Sequence, residues 1–78
     1  MRIDLVRLDP AQNLARWYRV EVGATLFCPH SVICQWGRLG GHYQRARYFA
    51  MPSHAEALAL ANLLVRRKVR RGYWIVGG

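Results

Sequence analysis

Four side chains could in principle gather a metal: Cys28, His30, Cys34 and His42 supply two thiols and two imidazoles within fifteen residues. One residue separates Cys28 from His30, five separate Cys28 from Cys34, and seven separate Cys34 from His42. That spacing matches none of the usual zinc patterns. Pleated strands would also aim these groups in different directions, so no metal is expected. Cys28 and Cys34, with Pro29 between them, form neither a C-x-x-C redox motif nor a disulfide framework. Both are expected to be free, buried thiols.

Acid–base chemistry would need a pair drawn from Asp4, Asp9, Glu21 and Glu56, the chain's four carboxylates. Each has another role in the sequence. Asp9 precedes Pro10 in a turn, Glu56 lies three residues after Ser53 at a helix start, Glu21 shares a strand with arginines, and Asp4 lies between Arg2 and Arg7. A cysteine nucleophile with a histidine base would lack an acid or amide to orient the imidazole. Gly37, Gly40 and Gly41 fall in a hairpin and open no helix, so they make no phosphate cradle. No catalytic residue and no cofactor are expected, and the chain does not read as an enzyme.

What remains is aromatic and basic together. Trp36, Gly37 and Arg38 end one strand, and Arg45 and Arg47 lie on the next. Arg66, Arg67, Lys68, Arg70 and Arg71 then crowd ahead of Tyr73 and Trp74. An exposed aromatic ring beside guanidinium groups can stack on a base or sugar while the arginines neutralise phosphates. Trp36 also has the strand parity of Val32 and Cys34, which on its own favours burial in the core.

The charge supports the same partner class. Twelve Lys and Arg against four Asp and Glu leave +8, and eleven of the twelve are arginine, whose planar fork suits phosphate oxygens. Residues 1–21 hold four cations and three acids (+1), residues 22–56 three and one (+2), and residues 57–78 five and none (+5). A field of one sign growing along the chain favours a polyanion, with nucleic acid ahead of an anionic membrane surface.

The elements that must position these groups follow from periodicity. Arg2–Leu8 reads as a strand stopped by Asp9-Pro10. Ala15–Val22 alternates, with Tyr18, Val20 and Val22 on one face and Trp17, Arg19 and Glu21 on the other. Residues 24–30 read as a loop. Ser31–Leu39 alternates again, Gly40-Gly41 permits a reversal, and His42–Ala50 returns with Tyr43, Arg45, Arg47 and Phe49 on one face. Ser53 and Glu56 form a capping box that opens a helix from His54 to about Val69. Its apolar stripe is Ala57, Leu60, Ala61 and Leu64, flanked by Leu58 and Val65, and Gly72 stops it. Tyr73, Trp74 and Ile75 either pack back on the domain or pair at a sheet edge. The fold class is α+β: a twisted antiparallel sheet of about four strands with one C-terminal helix packed on one face.

Seventy-eight residues, 53% of them hydrophobic, suffice for one small domain spanning residues 1–78. A domain of this size buries only about 60% of the surface its unfolded chain exposes, which leaves little room for a deep catalytic cleft. Asp4 interrupts any leader-like apolar run, and Ala57–Val65 is far shorter than the ~20 residues that span a bilayer. A cytoplasmic location without membrane contact is expected.

Gln35-Trp36-Gly37-Arg38-Leu39-Gly40 completes a signature. It follows Tyr18-Arg19-Val20 and Leu26-Phe27, and precedes Ala55-Glu56-Ala57 and Arg67-Lys68-Val69-Arg70-Arg71-Gly72-Tyr73. Together these segments resemble the WGR domain, from Ile3 to about Trp74. The resemblance implies a twisted antiparallel sheet with one helix. It also implies kinship to the modules with which poly(ADP-ribose) polymerases grip broken DNA. In those proteins the motif's tryptophan packs against the terminal nucleotide at a break, and its arginine joins contacts between domains. By the motif these roles fall on Trp36 and Arg38. With no catalytic or regulatory domain in these residues, Arg38 is expected to lack an internal partner. The combined expectation is a non-catalytic module for DNA ends, nicks or single-stranded segments, contacting them through Trp36, Gly37, Arg38, Arg45, Arg47, Arg66, Arg67, Lys68, Arg70, Arg71 and Tyr73. The alternative is an adapter that docks a protein partner on the same Trp/Arg surface.

Overall fold

The computed structural model describes residues 1–78. Five strands form one antiparallel sheet in the order β4-β3-β2-β1-β5, and a single helix crosses one face. The strands are β1 (Arg2–Asp9), β2 (Leu14–Gly23), β3 (Ser31–Arg38), β4 (Gln44–Ala50) and β5 (Trp74–Gly77); the helix α1 is His54–Arg70. The fifth strand is the departure from the expected count of about four. Trp74, Ile75 and Val76 take the open edge of β1, pairing Trp74 with Val6 and Ile75 with Leu5. A register shift then brings Gly77 opposite Asp4.

Each connection has a local cause. Pro10 opens a single 3-10 turn, and Asn13 closes it in the left-handed region (φ 53°), its N–H donating to the Pro10 carbonyl. Between β2 and β3 the Thr25 N–H donates to the Cys28 carbonyl and sets out Leu26 and Phe27, both almost fully exposed. Gly40, at φ +75°, makes the reversal into β4.

At the start of α1 the Ser53 hydroxyl accepts the Glu56 N–H at 3.2 Å. The Glu56 carboxylate in turn accepts from that hydroxyl, where the capping-box reading expected it to take the Ser53 backbone N–H. At the far end the Gly72 N–H donates to the Val69 carbonyl and the Tyr73 N–H to the Lys68 carbonyl. Gly72 itself is left-handed (φ +97°). This is a Schellman motif, which satisfies the last carbonyls and turns the chain back toward the sheet.

One face of the sheet carries the core. Leu5, Tyr18, Val20, Val22, Val32 and Cys34 point toward the helix, which contributes Ala57, Ala61 and Val65, and Tyr73 completes the cluster. The stripe of α1 therefore centres on Ala57, Ala61 and Val65, with Leu58, Leu60 and Leu64 partly buried around them. The two alanines are fully buried one turn apart, and their size lets the helix lie close on the strands. Seventeen residues give α1 a length of about 25 Å, and five strands span roughly 19 Å between outer axes. The helix is thus long enough to carry the chain from the β4 edge to the β5 edge. No helix is long and apolar enough to cross a membrane.

Cys28 and Cys34 are both free thiols. Cys34 is buried as expected, but Cys28 is only half-buried. It sits in the β2–β3 connection, where its Sγ donates to the His30 carbonyl at 3.2 Å and to that of Met51 at 3.6 Å.

Candidate nucleic-acid interface

Strand register assembles the site. Across β2 and β3, Arg16 faces Arg38, Trp17 faces Gly37 and Tyr18 faces Trp36; across β3 and β4, Trp36 faces Arg45 and Cys34 faces Arg47. Alternation then puts Arg16, Tyr18, Trp36, Arg38, Arg45 and Arg47 on the helix side of the sheet. The last turns of α1, through Leu64 and Lys68, wall the space above them. The result is a groove of about 670 Å³ whose aromatic lining is Trp17, Tyr18, Trp36, Phe49 and Tyr73.

Trp36 is neither free at a rim nor sealed inside. It is half-buried and packs against the core. Its ring lies over Tyr18, with centroids 6.0 Å apart and planes 20° from parallel, an arrangement worth about 0.5–1.5 kcal/mol beyond its burial. Gly37 sits where backbone and indole converge from the other face: a Cβ there would lie 2.8 Å from the Tyr43 carbonyl oxygen and 3.0 Å from Trp17 Nε1. Arg38 has an internal partner after all. Its guanidinium donates to the Asn13 carbonyl at 3.4 Å and to Asn13 Oδ1 at 3.3 Å, because the left-handed turn at Asn13 brings both oxygens to the end of β3. The Arg47 guanidinium lies 5.1 Å from the Phe49 ring and that of Arg45 5.7 Å from Tyr43, which holds both side chains along β4.

A second groove, of about 490 Å³, lies against the end of α1 and is lined by Arg67, Arg70 and Arg71 together with Tyr18, Leu64 and Lys68. Lys68 belongs to both. Its ammonium sits 4.4 Å from the Tyr18 ring centroid and 5.3 Å from that of Tyr73. Burial, with Arg71 and Arg16 close by, holds it below the usual lysine range. Burial also pushes the Tyr18 phenol upward, with Cys34 alongside reinforcing the shift.

Of the residues expected to form the site, Trp36, Gly37, Arg38, Arg45, Arg47, Lys68 and Tyr73 line the first groove. Arg67, Arg70 and Arg71 line the second, and Arg66 lines neither. Tyr73 is buried, so its ring serves as a wall beneath Lys68 rather than as an open stacking surface. Arg16, Trp17, Tyr18, Phe49 and Leu64 are additions. Arg16 and Tyr18 share the strand parity that already defined one face of β2, and extending that alternation two residues toward the N-terminus would have found Arg16.

Cys28 and His30 lie at the opposite end of β3 from His42, Cys34 is enclosed in the core, and no three His, Cys, Asp or Glu side chains cluster.

The electrostatics are one-sided. Five cations line the first groove (Arg16, Arg38, Arg45, Arg47, Lys68) and three more the second (Arg67, Arg70, Arg71), eight of the chain's twelve, with no carboxylate among the lining residues of either. The ion pairs are on the other face of the sheet, where Asp4 takes Arg19 at 2.7 Å and Arg2 at 3.2 Å.

A family model of the WGR domain matches residues 1–77. The chain belongs to the WGR domain family. Trp36, Gly37 and Arg38 are the three residues that spell its motif, and here they form one end of the first groove. The family is associated with nucleic-acid binding in proteins of the poly(ADP-ribose) polymerase kind. Uncharacterized protein y4dW of Sinorhizobium fredii (strain NBRC 101917 / NGR234) is 36% identical over 73 residues, covering 92% of this chain and 35% of that protein. This WGR chain thus spans about a third of the length of the curated relative it matches. No solved structure matches it.

Proposed function

We propose that this WGR domain is a non-catalytic nucleic-acid-binding module that takes DNA ends, nicks or single-stranded segments. The observation that carries the reading is the gathering of eight cations, without a carboxylate among them, around the stacked Trp36 and Tyr18 rings. Cations without counter-charges attract a polyanion, and an aromatic floor beside them gives a terminal nucleotide a surface to pack on. A half-buried Trp36 fits an end or an unpaired nucleotide better than an intact duplex, since only a nucleotide free on one side can reach into a groove.

The test is a titration of the protein with blunt, nicked and single-stranded DNA at two salt concentrations, with heparin as a generic polyanion. Engagement of about five phosphates gives a log–log salt slope near −4 to −5 on duplex DNA, with tighter binding to nicked or single-stranded forms than to closed duplex. A flat salt response would remove the reading and leave docking of a protein partner on the same surface. Indifference between heparin and DNA would reduce it to plain charge attraction.

A further inference from the structure

The two grooves share three side chains, of which one, Lys68, is charged. Tyr18, Leu64 and Lys68 line both, and the way α1 ends explains why. In the Schellman motif the residue two places past the cap returns over the last helical turn. Here that residue is Tyr73, and the one it covers is Lys68. The Lys68 chain is therefore laid across the Tyr73 and Tyr18 rings, with its ammonium at the crest between the grooves. Trp36, Arg45 and Arg47 line only the groove on one side of that crest, and Arg67, Arg70 and Arg71 only the groove on the other. The cation is crowded by like charge from Arg16 and Arg71 and desolvated by its surroundings. Neither groove offers it a carboxylate, and the ring faces compensate only in part. A phosphate at the crest would supply the missing counter-charge.

We propose that Lys68 joins the two grooves into one track, and that its occupant is a single polynucleotide strand continuing past its terminal nucleotide. The terminal nucleotide packs at Trp36, the next phosphate meets Lys68, and the following ones meet Arg67, Arg70 and Arg71. The proposal rests on the nucleic-acid reading above and narrows it to overhangs, frayed ends and gaps, where several unpaired nucleotides follow one another.

Fluorescence-anisotropy titrations with a thymidine dinucleotide, tetranucleotide and octanucleotide, using the wild type, Lys68→Met, Lys68→Arg and Arg66→Ala, test it. Affinity of the wild type should rise steadily from dinucleotide to octanucleotide. Lys68→Met should weaken the octanucleotide roughly fivefold at about 0.1 M salt and flatten its salt slope by about 0.7, the effect of one lost phosphate contact on a single strand. Lys68→Arg should keep most of the affinity, and Arg66→Ala nearly all of it. In the unaltered protein, the Lys68 side-chain NMR signals should shift on adding the octanucleotide, a readout that does not depend on any variant folding. Equal binding of all three lengths, or an octanucleotide affinity unchanged in Lys68→Met together with Lys68 signals that do not shift on adding the octanucleotide, would overturn the track while leaving nucleic-acid binding intact. Failure of the wild type to bind any of the three while it still binds nicked or blunt duplex would overturn the track alone; failure on the duplexes as well would overturn both.

Discussion

Trp17 and Gly37 lie directly across from each other on β2 and β3, and the indole occupies the space a side chain at 37 would need. A Cβ there would also press on the Tyr43 carbonyl, at 2.8 Å, which is backbone and cannot rotate away. Gly37→Ala should therefore cost about 1–3 kcal/mol, the usual scale for overpacking. Thermal denaturation should show a fall in Tm of roughly 4–8 °C per kcal/mol for a domain this small. Adding Trp17→Ala should recover only part of the loss, because the Tyr43 contact remains. An unchanged Tm in Gly37→Ala would mean that the β3–β4 turn yields freely.

Trp36 has two jobs, and its variants should separate them. Trp36→Ala removes a half-buried ring from the Tyr18 stack and should lower stability by about 2 kcal/mol, below the 3–5 kcal/mol typical of a fully buried Trp. It should also weaken binding to DNA ends more than to closed duplex, whereas Arg70→Ala should weaken both alike. Trp36→Phe keeps a ring over Tyr18, so it should restore most of the stability while recovering only part of the end preference. Parallel losses on ends and closed duplex would assign Trp36 to the core alone.

The basic run at the end of α1 is not uniform. Arg67, Arg70 and Arg71 line the second groove, and Arg66 does not. In duplex titrations Arg66→Ala should leave affinity within about twofold of wild type. The pair Arg45→Ala and Arg47→Ala should flatten the log–log salt slope by about 2. A loss at Arg66 equal to that at Arg70 would point to diffuse attraction by net charge rather than to built grooves.

Asp4 sets an acid limit on stability. Burial acts to raise its carboxyl, but hydrogen bonds and charge from Arg19 and Arg2 prevail and hold it below the ordinary value. A folded-state value below the unfolded one contributes stability that is complete above about pH 4 and is lost as pH falls through the lower, folded value. Asp4→Asn should cost about 0.5–1 kcal/mol at neutral pH, the scale of a partly exposed pair. It should also make denaturation midpoints less pH-dependent below about pH 4. A variant with the wild-type acid dependence would show that other carboxylates govern it.

Most of the elements were legible because their signals are local. Alternation with period two marks β2, β3 and β4 and already puts Trp36, Arg45 and Arg47 on one side of their strands. Ser53 with Glu56 opens α1, and Gly72, the one position there that needs a left-handed backbone, closes it. The aromatic and basic character of the site, and the motif at Trp36 to Arg38, stand in the sequence as well.

What the sequence alone could not determine is which local pieces become neighbours. Arg16 joins the site only because β2 pairs with β3 in the register that sets it opposite Arg38. Arg38 finds Asn13, twenty-five residues away, only because the β1–β2 turn lands at the end of β3. Lys68 reaches the Trp36 groove, and Arg67, Arg70 and Arg71 the groove beside it, only because the helix crosses the sheet and ends over Tyr18, while β5 returns to the edge of β1. Periodicity is a property of a few consecutive residues, whereas register and crossing depend on long-range pairing and on how closely two small buried alanines let a helix approach. Tertiary packing therefore turned a basic tail and an aromatic motif into one surface, and it set how deeply Trp36 is sunk in it.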